Sequence, residues 1–247
     1  MTDEVSAKQN SRMKIVSYAL LLFSTLVIYS IAQGISLLLK NYELSSMYIS
    51  FCAGFILFTP LVSLLLHPLI FTDMSNKGRL QLSILMANFG LVLVVQCLFF
   101  LIWITDAIVV YSLYVDQNSF LAKSFGIASE SKGNLGVEFY WANLFLAWFF
   151  ALLSLVLGVM PCLIARIDNK GVVNNFVASF AYAKQFKVQF SFAALCLAMA
   201  VVMPLLYMKY MFLLVFPVVL ASVFLYLSRL YSSRLYSGHK ASEELKR

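Results

Sequence analysis

Charge is what this sequence has least of. Only 12% of its 247 residues are Asp, Glu, Lys or Arg, about half of the roughly 25% usual in soluble domains, and the mean hydropathy is +0.88. That scarcity excludes an ordinary soluble domain and leaves the membrane as the solvent. Histidine is scarcer still, with two in the chain, and only His67 lies outside the C-terminal tail. The four cysteines, Cys52, Cys97, Cys162 and Cys196, all fall within apolar runs. None occupies an outer loop where an oxidising compartment would favour disulfides, so they read as small packing residues. Also absent are a Walker-type glycine loop, H-E-x-x-H, C-x-x-C and G-x-S-x-G. Their absence argues against most familiar enzyme classes, and no catalytic residue, cofactor or metal site is assigned.

What remains is a series of long uncharged runs, each able to supply the roughly 20 apolar residues that cross a bilayer core of about 30 Å as helix. They place spans at about 15–39, 46–71, 80–105, 139–165, 188–208 and 210–231. The expected fold class is therefore all-α: a polytopic membrane helix bundle of six transmembrane helices, forming one integral membrane domain over residues 1–247. After Asp106 a further apolar stretch, Ala107 to Val115, implies that the third helix either projects beyond the bilayer or bends at its end. The first run is too long for a removable signal peptide and is expected to stay as an anchor. Asp116 to Glu138, with Gly126, Gly133 and Gly136, is the longest hydrophilic stretch between spans and reads as a loop.

Six spans put both termini on one side, and the cations say which, because Lys and Arg in short loops stay cytoplasmic. With the termini inside, fourteen of the 18 cations are cytoplasmic and only Lys40, Lys123, Lys132 and Lys209 are outside. The net charge of +7 thus reads as a topology signal for a bacterial inner (plasma) membrane protein, with no need of nucleic acid as partner. Tyr140, Trp141, Tyr207 and Tyr210 fall near the expected outer boundary, and Tyr226, Tyr231 and Tyr236 near or beyond the inner one, as aromatic belts do.

Few polar side chains interrupt the spans. His67 in "LLLHPLIF" could form an acid-base pair with Asp73, but Pro68 breaks the helix beside it, and an interfacial histidine bonding a freed carbonyl is the simpler reading. Asp106 lies roughly 39 Å along its helix from Leu80 at 1.5 Å per residue, which places it at the outer headgroups. Gln33, Gln96 and Asn143 fall in the outer half of their spans. They either hydrogen-bond between helices or line a small outward-facing polar pocket. Pro60, Pro68, Pro161, Pro204 and Pro217 mark breaks of the kind from which transporter sites are built.

The longest polar exception in the second half is "MPCLIARIDNKGVVNNFVASFAYAKQF", residues 160–186. At helical spacing Val172, Val173, Phe176, Val177 and Phe180 share one face, while Asn174, Asn175, Ser179 and Gln185 fall elsewhere. Asn169, Lys170 and Gly171 form a turn before it. An amphipathic interfacial helix at about 172–186 follows, leading into the fifth span, its cations facing an anionic inner leaflet. Asn174, Asn175 and Lys184 are its candidate surface for a partner arriving from the cytoplasm.

This segment, with "LLVFPVVLASVFLYLSRLYS" after it, resembles the closing half of an uncharacterised family of six-span bacterial inner-membrane proteins. Pro161, Ser179, Phe180, Pro217, Ala221 and Ser222 occupy the matching places, over about residues 153–231. Gln185 and Phe186 depart from the family pattern, which often has Asn after the basic residue. The resemblance implies topology, and the family has no established activity to carry over. Function therefore rests on the residues: a structural, assembly or envelope-maintenance partner in contact with the lipid bilayer and a membrane protein, or, in the alternative, a small transporter or permease component using Gln33, Gln96 and Asn143.

Overall fold

The computed structural model describes residues 2–42, 45–67, 82–114, 135–168 and 171–244. Among them all secondary structure is helical. Six stretches are long and apolar enough to cross a membrane: Lys14–Asn41, Tyr48–Leu66, Asn88–Val109, Val137–Ile167, Lys187–Tyr207 and Lys209–Ser233, with mean hydropathy between 2.1 and 2.4. The all-α, six-span expectation holds. Many of these residues are β-branched or aromatic and would be indifferent helix formers in water. In hydrocarbon no water meets a free N–H or C=O, so the helix closes its own hydrogen bonds regardless.

Three helices outrun their spans. The first is Thr2–Asn41 and the last Phe212–Glu244. The third, Leu82–Tyr114, has 33 residues, about 50 Å at 1.5 Å per residue. It passes Asp106 as unbroken α-helix, so the chain has no helix break there. The helix of the fourth span begins at Leu135, so the end of the expected 116–138 loop is helical. Gly126, Gly133, Lys123 and Lys132 lie outside the described residues, as do Pro68, Asp73, Asn169 and Lys170.

The spans are unequally buried. Over its most apolar stretch the second and the fourth are each 72% buried, the fifth 56% and the sixth 44%, against 28% for the first and 22% for the third. The second span packs on the fourth, and the fifth on both the fourth and the sixth. Ala147 and Ala151 of the fourth and Ala194 and Ala198 of the fifth are wholly buried; small side chains let neighbouring helix backbones approach closely. Phe150, Phe190, Phe216 and Phe224 fill the wider gaps.

Both central spans are irregular, and each has a proline beside an irregular turn. The second alternates α-helix at Tyr48–Gly54, 3-10 helix at Phe55–Phe58, α-helix at Thr59–Ser63 and 3-10 helix at Leu64–Leu66. Pro60 has no N–H and its ring crowds the carbonyl four residues back, so the chain tightens just before it. The fourth span is α-helical to Ser154, opens into a π-helical turn at Leu155–Val159, and resumes as α-helix at Met160–Ile167, with Pro161 at its start.

A 14-residue helix, Val172–Gln185, joins the fourth span to the fifth, close to the expected 172–186. Gly171 before it has φ 89° and ψ 158°, a conformation open to little but glycine. The helix turns Asn175, Ser179 and Tyr182 into the protein and leaves Val173, Val177 and Phe180 more than 60% exposed.

Candidate functional site

The prolines of the two central spans meet the same neighbourhood. A Cβ on Gly158 would stand 2.3 Å from Pro60 Cγ and 3.1 Å from Gln96 Nε2, so three spans converge on one hydrogen atom's worth of space. Around this point lie Gln96, Ser154 and Ser179, each buried. The Ser154 hydroxyl donates to Gln96 Oε1 at 3.3 Å. Gln96 Nε2 is buried without a hydrogen-bond partner among the described residues.

The π-helical turn makes its own demand. The Met160 N–H, which would reach Val156 in an α-helix, bonds instead to the Leu155 carbonyl. The next N–H in line belongs to residue 161, a proline, which has none. The Val156 carbonyl would be left bare in a buried, water-free place, and the Ser179 hydroxyl donates to it from the connecting helix. Ser179 thus stands in for the missing proline N–H. Turns of this kind recur at functional sites.

Asn143 lies elsewhere. The Ser50 hydroxyl donates to its Oδ1 at 2.6 Å, and its own amide donates to the Phe139 carbonyl at 2.8 Å. The indole N–H of Trp103 donates to the Ser50 carbonyl at 2.9 Å and so ties the third span to the same place. Since Gln96 pairs with Ser154, eleven residues beyond Asn143 on one helix, the two amides stand about 16 Å apart along the axis. Gln33 is on the first span, with Nε2 buried and unpartnered among the described residues. The structure thus separates Gln96 from Asn143, each of which bonds across a pair of helices.

The connecting helix also divides its candidates. Asn174 and Lys184 are exposed, whereas Asn175 is wholly buried, its amide donating to Asn88 Oδ1 at 3.3 Å. Asn175 therefore leaves the expected partner surface and joins the connecting helix to the third span. Apolar spacing could not show this, because the side of the helix facing the bundle carries Asn175 and Ser179.

His67 is buried against Phe224, with ring centroids 4.9 Å apart, and Arg166 acts on it electrostatically. Its expected acid-base partner, Asp73, is outside the described residues. At the other end of the bundle, Lys209 donates to Ser36 at 3.2 Å and lies 5.8 Å from the Tyr48 ring centre. Beside it the Tyr207 hydroxyl donates to that of Tyr140 at 3.4 Å. Among the described residues no group of three or more His, Cys, Asp or Glu could hold a metal ion. All four cysteines are free; Cys52 and Cys162 are buried as packing residues, while Cys97 is exposed.

Comparison with protein-family models, with curated proteins and with solved structures finds no match to this chain.

Proposed function

We propose that this membrane protein works by association within the bilayer, as a structural, assembly or envelope-maintenance partner. The observation that carries this reading is the commitment of Asn143 to Ser50 and the Phe139 carbonyl. A side chain placed to meet a solute is instead fastened at both ends to the protein. Gln96, Asn175 and Ser179 bond across helices as well. The protein purified gently from native membranes should carry a membrane protein partner in fixed ratio. The purified protein alone, in vesicles, should pass no labelled sodium, amino acid or sugar. Flux that disappears when Gln33, Gln96 and Asn143 are replaced together by Leu would sink the reading.

That outcome would establish the second reading, a small transporter. The facing breaks at Pro60 and Gly158 support it, since paired helix discontinuities near mid-membrane are where transporter sites form.

The proposed setting is a bacterial inner membrane with both termini cytoplasmic, supported by the fourteen-to-four division of cations. The 172–185 helix is taken to lie at the cytoplasmic interface, with Val173, Val177 and Phe180 toward lipid and Asn174 and Gln185 toward water. A cysteine introduced at Lys132 should react with an impermeant thiol reagent on intact cells, and one at Lys170 should not. The opposite labelling pattern would invert the orientation.

A further inference from the structure

Between the second and third spans lies a recess of about 430 Å³, with Leu57, Phe58, Leu61, Leu93, Cys97 and Leu101 among its walls. A smaller one of about 150 Å³ shares Phe58 and Phe100 with it and reaches Trp103 beneath Ile31 and Ile35 of the first span. The second span runs as 3-10 helix at Phe55–Phe58, with fewer residues per turn than an α-helix, and two residues of that segment, Leu57 and Phe58, wall the larger recess.

We propose that this groove binds one phospholipid acyl chain. Depth is the first argument. Leu101 is five residues and Leu93 thirteen residues inside Asp106, the charge that ends the uncharged run of the third span, about 8 and 20 Å, a level that holds the chains of the bilayer and not its headgroups. Continuity is the second: Cys97, Leu98, Leu101 and Ile102 are exposed on the third span beside the groove, so it opens into the lipid-facing surface.

Size is the third argument, since a helix would rest across the recess and not enter it. The recess runs from Leu93 to Leu101, about 12 Å, so 430 Å³ gives a cross-section of about 36 Å². An α-helix with side chains, 10 Å or more across, needs about 80 Å². A hydrocarbon chain fits, and it restores dispersion contacts that an empty recess would forfeit. Leu57, Phe58 and Leu61 flank Pro60, so the bound chain braces the second span where it meets Gly158. This inference does not depend on the assembly reading.

The test uses the full chain in phosphatidylcholine and phosphatidylglycerol vesicles containing a phospholipid with a diazirine midway along one acyl chain. After irradiation, adducts should concentrate on Leu61, Leu93, Cys97 and Leu101, several-fold above the exposed Leu22 and Leu26 of the first span. Filling the groove with Cys97→Trp should abolish that excess and leave the first-span labelling unchanged; Leu93→Phe serves the same purpose where the tryptophan variant folds poorly. Even labelling of all exposed residues, or an excess that survives both fillers, would overturn the proposal. So would a crosslink from Cys97 to a second copy or another polypeptide in place of lipid, or an isoprenoid lipid retained there in native mass spectrometry.

Discussion

The second and fourth spans are each 72% buried over their most apolar stretch, the first and third only 28% and 22%, and backbone regularity follows the same division. The buried pair carries two 3-10 segments and a π-helical turn; the flanking pair runs as unbroken α-helix. Lipid offers no hydrogen bond, so a helix facing it must satisfy every backbone group itself. A helix enclosed by protein can open where a neighbour supplies the missing donor, as Ser179 does for Val156. Among the described residues, the irregular turns in the middle of a span thus occur in the two spans that protein encloses.

The sharpest way to break that contrast is to act where the two irregular spans touch. In Gly158→Ala the new methyl would lie 2.3 Å from Pro60 Cγ, with a proline ring on one side and helix backbone on the other. Overpacking of this kind costs up to about 3 kcal/mol. Gly34→Ala on the first span and Gly90→Ala on the third meet nothing within 4 Å and should be neutral or stabilise by up to about 1 kcal/mol. Reversible unfolding in mixed detergent micelles would compare them. Equal stability of the Gly158 and Gly34 variants would show that the Pro60 contact is not a tight one.

Much of this was legible in advance, and for a simple reason. Span number and approximate limits follow from where charge is absent, and a bilayer enforces that pattern on a single chain without reference to its partners. The connecting helix was legible too, from Val172, Val173, Phe176, Val177 and Phe180 at helical spacing. Its facing was not, because Asn175 and Ser179 are turned inward by the needs of Asn88 and Val156, residues 87 and 23 positions away. The same holds for Asn143 and Ser50, 93 positions apart. Pro161 was visible as a break, but the break's location, its π-helical form and the residue that satisfies it are properties of packing.

A smaller effect tests the same division through one kind of bond in two settings. Ser179 donates to the Val156 carbonyl in the protein interior; Ser222 donates to the Val218 carbonyl at 2.8 Å on the exposed side of the sixth span. The Val218 carbonyl lies in continuous α-helix and keeps its own N–H four residues on. Ser222→Ala should therefore change stability by less than about 0.5 kcal/mol. Ser179→Ala should cost about 1 kcal/mol, within the range measured for hydrogen bonds in membrane proteins, because no other donor is placed to replace it. Pro161→Ala returns an N–H to the fourth span, so the Val156 carbonyl regains a backbone partner whichever register the turn adopts. In that background the cost of Ser179→Ala should fall to the level of Ser222→Ala. An unchanged cost would mean that Ser179 acts through packing alone and that the missing proline N–H is not what it replaces.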